Sequence, residues 1–114
     1  MAHPVVHFEI IGKDGKKLQE FYGKLFDWHI DANNPMNYGI VDTHGEGSIG
    51  GGIGQTDSQN QVTFYIQVDD PQAYLNKIEA MGGKTVVPVT EIPDMVTFAQ
   101  FADPEGNVVG LVKG

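Results

Sequence analysis

Residues 5–26 read VVHFEIIGKDGKKLQEFYGKLF, and residues 62–81 read VTFYIQVDDPQAYLNKIEAM. Each stretch opens on alternating apolar residues, Val6, Phe8 and Ile10 in one and Val62, Phe64, Ile66 and Val68 in the other. That is the period of a strand with one buried face. Each then runs into an amphipathic helix. Leu18, Tyr22 and Leu25 fall on Tyr74, Ile78 and Met81 with one offset, since 74−18, 78−22 and 81−25 are all 56. A strand and a helix repeated in register predict an internal duplication.

The first helix is expected from about Asp14 or Gly15 to Phe26, with Leu18, Phe21, Tyr22, Leu25 and Phe26 on one apolar face. Gly23 inside it costs about 1 kcal/mol against alanine, which predicts close packing there. Trp28–Ile30, Tyr38–Asp42 and Ser48–Gly54 read as short strands separated by the turns NNP and HGEG. The polar, aperiodic GQTDSQNQ ends this half.

In the second half Asp70 is a good N-cap, Pro71 a favoured first helical residue, and Gly82-Gly83 a left-handed stop. Lys84–Ile92 is a strand that Pro88 confines to an edge or a bulge. Met95–Phe101 and Asn107–Val112 follow, joined by the turn Asp103-Pro104-Glu105-Gly106. The expected fold is α+β: two tandem βαβββ modules in one 1–114 domain, about 5–54 and 62–112 with a linker at 55–61, forming a cup-shaped sheet. The function is expected in that cup, lined from both halves.

The 114 residues suffice for a core without staples, and the absence of cysteine removes disulfides, thiolate metal sites and cysteine nucleophiles. With 15 acidic residues, 7 lysines and no arginine, the net charge is −8. The chain thus lacks the basic face that nucleic acid requires and the guanidinium fork that grips phosphate. Nucleic-acid, anionic-membrane and polyphosphate partners are not expected. No basic start with an apolar run marks a secretory signal, and no stretch approaches the roughly 18 apolar residues of a membrane span. A cytoplasmic protein is the expectation.

Three segments, VVHFEI at the start, FYGKLFDW in the first helix and FADPEGNVVGLV near the end, resemble the vicinal oxygen chelate superfamily. That superfamily includes glyoxalase I, bleomycin-resistance proteins and extradiol dioxygenases. With the module order, the resemblance covers nearly the whole chain. It implies paired βαβββ modules and a homodimer. In its metal-dependent enzymes it also implies a divalent ion held by histidine and carboxylate ligands from the first and last strand of each module. Those positions fall on His7, on Thr63, on about Gly50 or Gly51, and on Gly110. Only His7 is a ligand for an ion that takes nitrogen and oxygen donors. No cofactor is expected, with an ion at His7 the disfavoured exception. A ferredoxin-like α+β barrel is the fold alternative, and it does not predict three strands after each helix.

His7 and Glu9 share the polar face of the first strand, and Tyr65 and Gln67 share the corresponding face of the second module's strand. A dry, unpaired carboxylate on an inward face costs several kcal/mol, so Glu9 must be wet, paired or protonated. Each state describes a polar cavity, and a solvent-facing sheet surface is the alternative. His7 is open to a pocket role with one hydrogen bond or to acid–base work near neutral pH. Trp28, Phe98 and Phe101, with Tyr38, Met36 and Met95, are candidates to wall an apolar or aromatic ligand.

The run Gly45–Gly50 matches G-x-G-x-x-G but opens no helix, so it is not read as a nucleotide site. Its glycines are read instead as room for a bend or a close approach. His3, His29 and His44 are read as structural or exposed. The leading expectation is a small-molecule-binding protein of the glyoxalase and bleomycin-resistance type, with His7, Glu9, Tyr65, Gln67, Trp28, Phe98 and Phe101 at the ligand. The alternative is a glyoxalase-like lyase or related enzyme using His7 and Glu9 as acid and base, or an altered metal site.

Overall fold

The computed structural model describes residues 2–114. The elements run β1 (Val5–Gly12), α1 (Gly15–Phe26), β2 (His29–Asp31), β3 (Gly39–Asp42) and β4 (Gly50–Gln55). They continue β5 (Gln61–Val68), α2 (Pro71–Ala80), β6 (Lys84–Ile92), β7 (Val96–Ala102) and β8 (Val108–Lys113). The chain is α+β, with strand, helix and three strands used twice. It forms two compact units, His7–Thr63 in one and the residues through Val6 with Phe64–Gly114 in the other.

In the 7–63 unit the strands lie in the order β2-β3-β4-β1. β4 runs parallel to β1, with His7 opposite Gly50, Phe8 opposite Gly51 and Glu9 opposite Gly52. The Asp14 carboxylate starts α1 by accepting from the Lys17 amide at 3.1 Å, one of the donors a helix start leaves without a partner. Gln55 accepts from the Gly15 amide at 3.2 Å, and the Gln19 side-chain amide donates to Ile53 O at 2.8 Å and Asn37 O at 3.1 Å. Polar bonds as well as apolar packing therefore fix α1 on its sheet.

That docking corrects the expected apolar face of the helix. Leu18 and Tyr22 are half-buried, but Phe21, Leu25 and Phe26 are 56%, 61% and 53% exposed. The aromatic residues are spent on one another instead. Tyr22 stacks on Trp28 with ring centroids 5.7 Å apart, and Phe26 and Phe8 each approach Trp28 at 5.5 Å.

The second unit orders its strands β5-β8-β7-β6, and the Gln67 amide donates to Pro4 O at 2.9 Å. Its core is Val68, Leu75, Ala99 and Leu111, with Ile66, Tyr74, Ile78 and Phe101 packed against it. Asp70 caps α2 through the Ala73 amide at 3.2 Å, and Gly82, at φ +97°, turns the chain out of the helix. β6 is the outer strand, with register shifts on both sides of Val87, as Pro88 predicts.

The turn into β8 is held by Asp103, which accepts from the amides of Glu105 and Asn107, both at 2.9 Å, and from the Asn107 side chain at 3.0 Å. These bonds, that of the Asn107 side chain above all, hold the Asp103 carboxyl below its ordinary range.

β5 reverses part of its expected pattern. Ile66 and Val68 pack under α2, but Val62 and Phe64, farther along the same face, are 74% and 41% exposed. Thr63 and Tyr65 on the nominally polar face are buried. The helix covers only one end of the strand, so alternation marks two faces without saying which stretch of each is covered.

Gly23 departs from its expectation as well. A Cβ there would meet Ile30 Cδ1 at 3.4 Å and Trp28 O at 3.6 Å, ordinary contact distances. Gly23→Ala should therefore raise stability by about 0.5–1 kcal/mol, the helix-propensity gain, in urea unfolding. A loss of stability would mean that the helix needs the bare backbone at this position.

Candidate functional site

The polar face of β1 carries His7 and Glu9 two residues apart, and both are half-buried. On the same face of β4, Gly50, Gly52 and Gly54 present backbone only. That bare strip is filled from outside the two strands. The ring of Tyr38, just before β3, lies over Gly52 and Gly54, and a Cβ built on Gly52 would stand inside the phenol.

The Tyr38 hydroxyl donates to Glu9 Oε2 at 2.8 Å and meets His7 Nε2 at 3.0 Å. The phenol thus joins the two predicted residues into one line, Glu9–Tyr38–His7. The His7 and Tyr38 ring planes are 16° apart.

Tyr38 is aimed by a tight loop. Asn34 Oδ1 accepts from the amides of Met36 at 3.2 Å and Tyr38 at 3.0 Å, and Asn34 Nδ2 donates to Tyr38 O at 2.7 Å. Asn37 takes the left-handed conformation at φ 52°, which asparagine tolerates better than most residues. Both backbone polar groups of Tyr38 are therefore held by one side chain.

Burial pulls the His7 imidazole below its ordinary value of 6.5, and the Glu9 carboxylate offsets this only in part. The site therefore holds a carboxyl, a phenol and an imidazole inclined to stay neutral. These groups can accept, donate and pass protons.

In the second unit the position equivalent to Glu9 is Tyr65, because 65−9 is again 56, and Tyr65 lies opposite Gly110 as Glu9 lies opposite Gly52. The Tyr65 ring covers Gly110, where a Cβ would overlap it. Gln100 Nε2 donates to the Tyr65 hydroxyl at 2.9 Å, and Phe98 meets the ring edge-on at 6.4 Å. Gln67 folds its side chain over Gly114. Tyr65 and Phe98 are thus brought together, with Gln100 as an addition that sequence reasoning missed.

Two predicted ligand residues lie elsewhere. Trp28 packs against Phe8, on the opposite face of β1 from His7 and Glu9. Phe101 packs into the core beneath α2, because it is one residue out of phase with Phe98 and Gln100. Met36 is 52% exposed, and Met95 lies in an open depression at the end of the β6–β7 hairpin.

The remaining histidines sit at the surface. His3 Nε2 meets the Tyr74 hydroxyl at 2.8 Å, and His44 lies 3.5 Å from Asp42 with His29 beside it. Gly45–Gly50 leads into β4 and opens no helix.

Residues 5–111 match the model of the Glyoxalase/Bleomycin resistance protein/Dioxygenase superfamily. The chain belongs to this superfamily. It is 30% identical over 110 residues to a protein named "Putative glyoxylase CFP32" in Mycobacterium tuberculosis and in Mycobacterium bovis, covering 86% of this chain and 41% of that protein. The chain thus spans about two-fifths of the length of these curated relatives.

Among solved structures, protein BH1468 of Bacillus halodurans aligns with a TM-score of 0.73 at 10% identity, over 100% of this chain and 96% of that one. A superfamily member from Vibrio splendidus 12B01 aligns at 0.68 and 15% identity, over 99% and 100%. Methylmalonyl-CoA epimerase from Mycobacterium tuberculosis aligns at 0.67 and 14% identity, over 96% and 86%. At such identities the likeness speaks for the fold alone.

The metal that the superfamily implies can be tested against the side chains present. Among the described residues no three His, Asp or Glu side chains converge in a way that could hold an ion. The site next to Glu9 where a carboxylate would project from β4 is Gly52, already covered by the Tyr38 phenol. These residues do not fit the donor set of such a centre.

The depressed His7 value has a signed consequence. An unfolded chain takes up a proton at an ordinary histidine value near 6.5, whereas folded His7 resists it. Stability contributed by neutral His7 is present above that value and is lost as the pH falls from it toward the lower folded value. The stability difference between wild type and His7→Gln should therefore shrink as the pH is lowered from 7.5 to 5 in urea titrations. Parallel curves for the two proteins would show that His7 carries no such linkage.

Proposed function

We propose that this chain is a small-molecule-binding protein of the glyoxalase and bleomycin-resistance type that works without a resident metal. In this reading the Glu9–Tyr38–His7 face of the 7–63 unit receives a polar group of an apolar or aromatic ligand. The observation that supports it is the phenol seated on Gly52 between the carboxyl and the imidazole. A chain that only filled a core would not place three polar side chains together there, because each must be desolvated and satisfied. Such a cluster, held by a rigid strand pair and a clamped loop, suits the few fixed polar contacts that orient a small ligand.

A second reading is catalysis, favoured by the same line. A proton gained at one end of a hydrogen-bonded carboxyl, phenol and imidazole can be matched by one released at the other. The name of the mycobacterial relatives points in that direction.

Two measurements test the main reading. Metal analysis of protein purified without chelator, followed by titration with Ni²⁺, Zn²⁺ and Mn²⁺, should show no stoichiometric ion. A tight one-to-one ion lost on His7→Ala would overturn it. Titration with 2-naphthol, a flat apolar probe with one hydroxyl, should saturate and move the backbone amide resonances of Glu9, Tyr38 and Gly52. Shifts confined to other regions would place binding elsewhere.

A further inference from the structure

We infer that Gln19 is a positioning residue for Tyr38, acting from α1 on the peptide unit that carries the phenol. The carbonyl of that unit, Asn37 O, accepts from Gln19 Nε2 at 3.1 Å. Its amide, Tyr38 N, donates to Asn34 Oδ1 at 3.0 Å. A planar unit held at both of its polar groups has its orientation fixed. The same Gln19 nitrogen donates to Ile53 O of β4 at 2.8 Å, so both of its hydrogens have acceptors.

Asn34 and Gln19 hold this peptide in different ways. The side-chain bonds of Asn34 reach only Met36 and Tyr38, so they stiffen the loop without placing it on the sheet. The β3–β4 ladder, which does place its own residues, stops at the pair Gly39 and Ile53. Gln19 extends that hold past the end of the ladder by joining the carbonyl of Ile53 to that of Asn37. Asn37 is left-handed at φ 52°, a conformation that persists where its surroundings hold it. Its amide donates to Asn34 O at 3.0 Å, and its carbonyl is the one Gln19 takes.

The chain leaves room for this side chain. A Cβ on Gly39 would stand 2.8 Å from Gln19 Nε2 and 2.7 Å from Ile30 Cγ2. Gly15, one turn earlier on α1, is docked on β4 by Gln55 at 3.2 Å. Gln55 thus docks the helix alone. Gln19 docks the helix and also sets where the phenol lies over Gly52, within reach of Glu9 and His7. This placement exists without a ligand; only its effect on affinity rests on the reading that this face binds a small molecule.

NMR of the ligand-free protein reads the role directly. In wild type both side-chain amide protons of Gln19 should exchange with solvent more slowly than those of Gln72, whose amide meets only exposed Asn76. The Tyr38 ring protons should give cross-peaks to the Gly52 α-protons. Gln19→Met keeps the length of the side chain and removes both donors. It should retain a folded amide spectrum and lose most of the Tyr38–Gly52 cross-peak intensity. It should also weaken 2-naphthol binding about tenfold, the loss of one well-aligned hydrogen bond. Gln19→Glu, which as a carboxylate has no donor, should behave alike and serves if Gln19→Met fails to fold.

Gln55→Ala is the control, and it should lower stability while leaving the cross-peaks and the affinity of wild type. Rapid exchange of both Gln19 amide protons, or cross-peaks that survive loss of the donors, overturns the inference. An equal loss of cross-peaks on Gln55→Ala overturns it too, because Gln19 would then only dock the helix. If wild type does not bind 2-naphthol, the binding reading has failed, and the cross-peaks still decide the role of Gln19.

Discussion

The phenol of Tyr38 can reach Glu9 and His7 only because β4 offers no side chain at Gly52. The ring occupies the volume in which a Cβ would stand, so position 52 and position 38 compete for one space. With glycine at 52, tyrosine seats itself on the backbone and converts two neighbouring strand residues into a hydrogen-bonded line. The carboxyl of Glu9, costly to desolvate alone, gains a partner, and the imidazole of His7 gains a fixed orientation. The candidate site thus comes from three separate stretches: a strand, a bare parallel neighbour, and a loop folded back by Asn34.

The second unit uses the same exchange of glycine for an aromatic ring in a different way. Tyr65 stands where Glu9 would, and its own ring lies over Gly110, the partner of that position. The hydroxyl meets Gln100 instead of a carboxylate. The first unit therefore places a carboxyl, a phenol and an imidazole on this face, while the second places a phenol, a side-chain amide and a phenyl ring there. Duplication supplied the same frame twice, and the difference between a glutamate and a tyrosine at one register position separates the two chemistries.

Much of this was legible in the residues. The offset of 56, the cap at Asp70, the stop at Gly82, the edge strand at Pro88 and the shared face of His7 and Glu9 all follow from local chemistry. Local rules do not say how far a side chain reaches from a loop. Tyr38 precedes a short strand, and periodicity assigns it no target. The available signal was the alternation of Gly50, Gly52 and Gly54, which empties one face of a strand and leaves space that something bulky must fill.

Trp28 and Phe101 were misplaced for a simpler reason. Aromatic character identifies a good pocket wall and an equally good core residue, and only strand phase separates the two. Phase alone puts Phe101 opposite Phe98 and Gln100. The exposed Phe21 and Leu25 show the converse limit, since an amphipathic pattern locates a helix face without stating that this chain covers it.

A double-mutant cycle between positions 38 and 52 tests the central claim most directly, with unfolding free energy as the readout. If the phenol occupies the space above Gly52, Gly52→Ala should cost about 1–3 kcal/mol in wild type through overpacking. It should cost much less once Tyr38→Ala has emptied that space, giving a coupling well above the few tenths expected of independent sites. Additive costs would show that the two positions do not share a volume, and the Glu9–Tyr38–His7 line would lose its foundation.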